Sequence, residues 1–297
     1  MLDRYHIGIH TRQSPEADVP LILQDRIEDR LGGAANVALN LKQMGLHPTL
    51  IASVGNDEAG KVLVDLCESL IQDVHLARLD RPTTLKSRVV DQEFRQYLRL
   101  DREQTSDYES DKLAELGALL SSQLPGASAL IIQDYNKGIF TEKFITSVQQ
   151  MAMQHRIPII VDPKKSHFRL LSQCTIFKPN IKELSQAYGA PVPPEAEAIT
   201  KALRALDIKA EQTFVTLGAK GIYYQDSKSQ EMGIIDGLPV SDADVSGAGD
   251  TVLSALTLAH ILAQTVQNKA SMANKAGALV CEKKGICAIS AAELGVE

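Results

Sequence analysis

No stretch of this sequence approaches the roughly 18 consecutive apolar residues of a membrane span, and no basic-then-apolar leader opens it. No membrane partner is expected, and the expected address is the cytoplasm. Positive charge is not in excess either, the net charge being −6. A generic nucleic-acid binder needs clustered Lys and Arg to neutralise phosphates, so no nucleic-acid partner is expected. Cysteine is sparse: Cys67, Cys174, Cys281 and Cys287 form no Cys-x-x-Cys pair, which argues against a structural zinc site. His6 and His10 fall on one side of a predicted strand, but no acidic or thiol group beside them completes a metal site. Tryptophan is absent, and there is no internal repeat or low-complexity tract; Pro191–Pro194 reads as a short loop, not an interdomain linker.

What is present is a globular composition, 44% hydrophobic and 23% charged over 297 residues, which is enough for a substantial core. Strands are predicted at Pro48–Val54, Ala129–Asp134, Ile157–Asp162, Thr175–Lys178 and Thr213–Leu217. Helices are predicted at Ala34–Met44, Asp57–Leu70, Asp111–Gln123, Thr141–His155 and Glu195–Leu206. The strand runs are apolar almost throughout, as in a parallel sheet covered on both faces. Their alternation with helices implies right-handed crossovers and a doubly wound, mainly parallel α/β core. In such sheets ligands bind beyond the carboxyl ends of the strands. Asp134, Asp162, Asn180 and Thr216 fall there.

Two segments break the rhythm. Residues about 5–30 and 84–101 read as polar-alternating strands with no helix between them, the second turning at Asp91-Gln92-Glu93. They are expected to form a small β-sheet lid inserted in a single domain spanning 1–297. An exposed edge and one apolar face make pairing with a second lid, and hence a homodimer, the expectation.

Residues Asp244 to Ala255 are the most informative stretch. A Gly247-Ala248-Gly249 turn leads into Asp250 and an apolar helical run from Thr251 to Leu262. A helix start offers unpaired N–H groups and the positive end of a dipole, and so attracts an anion. A carboxylate beside such a site makes sense if it takes a proton from a nucleophile that attacks phosphorus. On its own, an Asp in the first turn of an ordinary helix explains the pattern equally well. A dinucleotide-binding reading of the Gly-x-Gly is poor, because that fingerprint belongs in a first βα turn and this one opens a late helix.

Taken with Gly32-Gly33-Ala34-Ala35-Asn36-Val37-Ala38, the stretch resembles the two signatures of the ribokinase-like (PfkB) carbohydrate kinases. The resemblance implies a ribokinase-like fold, with ATP and Mg²⁺ as co-substrate and cofactor, and it leaves monovalent-cation support of the anion site open. Asp250 would be the base that deprotonates the acceptor hydroxyl, and the N–H groups of Gly247, Ala248 and Gly249 would hold charge on the transferred phosphoryl group. Lys178-Pro179-Asn180-Ile181-Lys182-Glu183 resembles the Asn-x-x-Glu element, in which Asn180 and Glu183 hold hydrated Mg²⁺. Thr216-Leu217-Gly218-Ala219-Lys220-Gly221 resembles the nucleotide-carrying turn. Asn274 matches a position near the adenine and ribose, and Asp162 and Lys164 a phosphate-side element.

The likeness sharpens toward the heptose 7-phosphate kinases, which serve ADP-heptose and lipopolysaccharide core synthesis. Met1-Leu2-Asp3-Arg4-Tyr5, Ser14-Pro15-Glu16-Ala17, Arg99-Leu100-Asp101 and Asp134-Tyr135-Asn136-Lys137-Gly138 carry it. The implied reaction transfers the γ-phosphoryl group of ATP to the anomeric hydroxyl of D-glycero-D-manno-heptose 7-phosphate. Asp3, Gly32, Gly33 and Asn36 would fix the sugar ring, together with Asp134 and Lys137. Lys86, Arg88 and Arg99 of the lid are the candidates for the 7-phosphate. Two departures stand out. The family pattern has a strand ending in Gly-Asp ahead of Met-Leu-Asp-Arg-Tyr, and the His-x-Gly-His motif of a fused nucleotidyltransferase does not occur in this sequence. That second activity is therefore not expected of this polypeptide. Other readings are a kinase for another sugar, sugar phosphate or nucleoside, and a non-catalytic sugar or nucleotide sensor.

Overall fold

A computed structural model describes residues 1–296 of the chain. It begins with two long antiparallel strands, β1 (Leu2–Gln13) and β2 (Pro20–Leu31), followed by α1 (Ala34–Gln43), β3 (Thr49–Gly55), α2 (Glu58–Leu70) and β4 (Asp73–Leu79). Next come β5 (Leu85–Asp91) and β6 (Gln96–Arg102). These two join β1 and β2 in a four-stranded outer sheet of order β2-β1-β5-β6, in which β1 and β5 run parallel. The turn between β5 and β6 is longer than the predicted Asp91–Glu93. The Asp91 carboxylate accepts from the backbone N–H of both Glu93 and Arg95, and Phe94 adopts a left-handed φ of 63° to complete the turn.

The rest of the chain alternates strand and helix only as far as β8, after which like elements follow one another. It runs through α3 (Ser110–Gln123), β7 (Leu130–Gln133), α4 (Glu142–His155), β8 (Ile159–Asp162), β9 (Ile176–Phe177), α5 (Ile181–Tyr188) and α6 (Ala196–Ala205). It closes with β10 (Gln212–Thr216), β11 (Ile222–Asp226), β12 (Met232–Ile235), α7 (Ala248–Ile261), α8 (Val266–Cys281) and the short α9 (Ala291–Leu294). Strands β7 to β10 lie parallel and β11 and β12 add an antiparallel margin, in the order β12-β11-β10-β9-β8-β7.

Both faces of this sheet are covered, which explains the continuous apolar strands. Successive residues point to opposite faces. Ile159, Val161, Phe177 and Val215 join one core with α4, α5 and α6, while Ile160, Ile176 and Phe214 join another with α1, α7 and α8. Each such side chain contributes about 1.5–3 kcal/mol relative to an exposed one. Local signals set the helix ends. Asp57 caps α2 by accepting from Gly60 N–H, Thr141 caps α4, and α5 starts in a reciprocal Asn180/Glu183 capping box and stops at Gly189 in the left-handed region. Among the described residues no helix is long and apolar enough to cross a membrane.

One feature departs from a continuous central sheet. Strands β3 and β4 pair only with each other, so the layer comes in pieces of six and two strands. Between the free edges of β3 and β7 lies a largely apolar slot of about 640 Å³, lined by Val37, Leu41, Leu50, Ile132, Phe144 and neighbouring residues. The Gln133 side-chain oxygen, buried beside it, has no hydrogen-bond partner.

Candidate active site

The glycine-rich turn does produce a helix start. Gly247 takes a φ of 76°, a left-handed conformation suited to glycine, and α7 begins at Ala248. Asp244 braces the turn by accepting from Ser246 and Gly285 N–H at 2.9 and 2.7 Å. These bonds outweigh its burial and hold its carboxyl below the usual range. Gly249 is exposed, so the first-turn N–H groups of α7 open to the outside. The Ala248 N–H is already engaged with the Val245 carbonyl at 3.3 Å.

Asp250 sits one step inside, 3% exposed. Asn36 Nδ2 donates to its Oδ2 at 2.9 Å, the Tyr135 hydroxyl to its Oδ1 at 2.8 Å, and Gln133 Nε2 to the same Oδ1 at 3.2 Å. Burial pushes its pKa up to about 6; the donors Asn36 and Tyr135 and the charge of Lys178 oppose that rise, and Asp162 adds to it. A carboxylate poised near neutrality is suited to proton transfer. Lys178, 2% exposed, bonds Asp162 Oδ2 at 2.9 Å. A Cβ placed on Gly249 would lie 3.8 Å from the Lys178 ammonium, so this buried cation borders the helix start.

On the other side, the Gly32-Gly33 pair lets Asp3 and Tyr135 approach the backbone closely. A Cβ on Gly32 would fall 1.8 Å from Asp3 Oδ2, and one on Gly33 would press within 3.2 Å of the Tyr135 ring. Asp3 is buried against Arg88, which is itself only 8% exposed. Arg88 is therefore already committed to a carboxylate. Lys86 lies over the Tyr135 ring at 5.4 Å from its centroid. Arg99 is on the surface, paired with Asp101 at 2.9 Å.

Other predicted residues fall into a second layer. Asp134 is fully buried behind the site and accepts from the backbone N–H of Asn136 and Lys164 and bonds His167 Nδ1. Lys137 pairs with Glu103 at 2.7 Å. Lys164 pairs with Glu183; burial lowers its pKa, but Glu183 outweighs this and the net shift is upward. Asn180 and Glu183 spend side-chain atoms on the capping box of α5. A parallel bridge ties Asn180 to Thr216, and Gly218 and Gly221 hold the following turn with φ of 63° and 99°. Asn274 Nδ2 donates to the Asp236 carbonyl at 2.8 Å. No cluster of three or more His, Cys, Asp or Glu poised for a metal occurs among the described residues.

Sequence reasoning singled out neither Gln133, Tyr135 nor Lys178 as site residues. All three stand at or just past the carboxyl ends of β7 and β9, the place where doubly wound sheets carry their ligands. That position was the signal.

The arrangement joins a buried carboxylate of raised pKa, an open helix start and a buried cation. A family profile described as pfkB family carbohydrate kinase matches residues 6–292. The chain belongs to the pfkB carbohydrate kinase family. A relative from Hyphomonas neptunium, the bifunctional protein HldE, is 38% identical over 99% of this chain and 61% of its own length. The D-beta-D-heptose 7-phosphate kinase of Bordetella bronchiseptica is 36% identical over 100% of this chain and 93% of its own. The chain thus spans under two thirds of the HldE relative but nearly all of the single-function kinase. In fold, phosphofructokinase-2 from Escherichia coli in complex with fructose-6-phosphate superposes with a TM-score of 0.82 at 22% identity, covering 99% of this chain and 93% of that one. This likeness confirms the ribokinase-like architecture expected from the motifs.

Proposed function

We propose that the chain catalyses ATP-dependent phosphorylation of the anomeric hydroxyl of D-glycero-D-manno-heptose 7-phosphate, releasing ADP and heptose 1,7-bisphosphate. The observation that carries the chemistry is Asp250, buried at the start of α7 with its pKa near 6 and its carboxylate aimed by Asn36. The sugar assignment is supported by the full-length match to a kinase whose name states D-beta-D-heptose 7-phosphate. In this reading Asp250 takes the hydroxyl proton as the sugar oxygen attacks the γ-phosphorus. The N–H groups of Gly247 and Gly249, with that of Ala248 once it leaves the Val245 carbonyl, and the Lys178 ammonium stabilise negative charge on the moving phosphoryl group.

The donor set suits Mg²⁺ held through water rather than in a protein cage, since Glu183 and Asn180 are partly engaged and no three-carboxylate cluster is at hand. Bound there with the ATP phosphates, Mg²⁺ would neutralise charge. The turn from Thr216 to Gly221 and Asn274 would seat the nucleotide. Asp3, Gly33 and Asn36 would contact the sugar ring.

The outer sheet would act as a lid, within one domain. Lys86 is its best-placed cation for the 7-phosphate, because Arg88 and Arg99 already have carboxylate partners. The opposite face of that sheet, where Ile27, Leu98 and Leu100 are exposed, would seat the same face of a second copy.

Product identification after incubation with ATP, Mg²⁺ and heptose 7-phosphate tests the reading, with fructose 6-phosphate and ribose as controls. A 1,7-bisphosphate is expected. Faster turnover of either control would overturn the sugar assignment.

A further inference from the structure

An ionised carboxylate has about four lone-pair sites, two on each oxygen. At Asp250 three are taken. Oδ1 accepts from both the Tyr135 hydroxyl and Gln133 Nε2, while Oδ2 accepts only from Asn36 Nδ2. Gln133 Nε2 also reaches Asp162 Oδ2 at 3.2 Å. Two carboxylates facing one amide fix its orientation, since a flipped amide would set oxygen against oxygen. Oδ1 is therefore full, and Oδ2 keeps one open site.

The Tyr135 ring is held on several sides. Lys86 Nζ of β5 and Lys164 Nζ of the β8 loop lie over it at 5.4 and 5.5 Å from the centroid, and Gly33 leaves room for its edge. Its backbone follows Asp134, whose Oδ1 accepts from Asn136 N–H at 2.7 Å and whose Oδ2 is locked by Lys164 N–H and His167. Asn136 takes a φ of 52° to make that turn. An interlocked turn thus aims one hydroxyl at one oxygen.

We propose that Tyr135 is a positioning residue for phosphoryl transfer: with Gln133 it fills Oδ1 of Asp250 and leaves Oδ2 as the atom that accepts the proton of the sugar hydroxyl. The proposal rests on the kinase reading of Asp250. In the step, the sugar O–H bond breaks and its proton moves to Oδ2. The oxygen's electron pair forms the new O–P bond, and the bond from the γ-phosphorus to the leaving ADP oxygen breaks. Asn36, three residues after Gly33, is the one side chain bonded to that Oδ2 among the described residues.

The charged and titratable groups around Asp250 are Asp162 and Lys178 from β8 and the end of β9, the buried amino group of Met1 ahead of β1, and, beyond Tyr135, Lys86, Lys164 and Asp3. Tyr135→Phe leaves all of these in place and removes one donor. Because that donor holds the Asp250 pKa down, its loss should raise it. The acid limb of the kcat/KM profile is expected to move to higher pH and kcat to fall roughly tenfold or more, with KM for ATP unchanged. Gln133→Leu, which removes the other Oδ1 donor, should shift the limb the same way. A purely structural tyrosine would lower Tm and leave the limb where it is.

A readout independent of substrate separates this proposal from the choice of sugar. The Asp250 carboxyl band in difference infrared spectra, assigned by its loss in Asp250→Asn, should titrate at higher pH in Tyr135→Phe than in wild type. An unmoved titration together with an unmoved acid limb would overturn the proposal. Wild-type enzyme that prefers another sugar would overturn the heptose assignment alone, and the infrared comparison would still decide the role of Tyr135.

Discussion

At the residue scale, Asp250 shows a group held against its own ionisation. Its pKa of about 6 lies above the ordinary carboxylate value of 3.8 because burial disfavours the charged form. The folded state therefore binds a proton more tightly than the unfolded chain. No penalty exists below pH 3.8; it grows as pH rises to about 6 and stays constant above, at roughly 2–3 kcal/mol. Asp250→Asn removes this penalty along with the proposed base. Turnover should fall on the order of 10²–10⁴-fold. Thermal melts should show a larger gain in Tm for the variant at pH 8 than at pH 4. Equal gains at both pH values would mean that Asp250 is not strained by its charge, and near-normal turnover would remove it from the base role.

At the element scale, the start of α7 depends on a conformation as much as on sequence. Gly247 combines a left-handed φ with close contact, since an added Cβ would sit 3.0 Å from Asn36 Nδ2, the donor to Asp250. Gly247→Ala should cost about 1–2 kcal/mol in stability and also reduce kcat by displacing Asn36. Gly45→Ala is a matched control, because that glycine has a φ of 85° with nothing within 4 Å of the added methyl. It should lose stability and keep activity. If both variants kept full kcat, the coupling through Asn36 would be wrong.

Much at this scale was legible in the sequence. Helix α1 was predicted at Ala34–Met44 and spans Ala34–Gln43, and β8 forms within the predicted Ile157–Asp162. Long apolar or amphipathic runs bounded by caps carry their own signal. Helix α5 was harder, because its eight residues spell only two turns and its capping box reads equally well as a metal element. Side-chain partnership was the least legible of all. That Arg88 is committed to Asp3 depends on β1 and β5 meeting at one register, and that Tyr135 reaches Asp250, 115 residues on, depends on the loop after β7 meeting the start of α7.

At the scale of the whole molecule, the outer sheet has two unlike faces. Its inner face presents Asp3, Lys86 and Arg88, while Leu100 and Leu98, 62% and 50% exposed, stand on the other. Burying such a row against a second copy would remove it from water. Leu100→Asp is expected to convert a dimer into a monomer in sedimentation experiments without lowering the Tm of the isolated subunit. A wild-type protein that sediments as a monomer at micromolar concentration would refute the second-copy arrangement.

The slot between β3 and β7 bears on how the molecule holds together as a unit. A continuous sheet transmits order through its ladder of backbone bonds, so that one half rarely comes apart without the other. Here no ladder links the β3–β4 pair to the six-stranded piece. The pair leans on side chains of α1, α2 and the base of the outer sheet, a core of its own built from Leu50, Val54, Leu63 and Leu2. Cooperativity between the two halves must then pass through packing and a few side-chain hydrogen bonds such as Asn36 to Asp250, not through a backbone ladder. Native-state hydrogen exchange is expected to show the amides of β3 and β4 opening at lower free energy than those of β8 and β10.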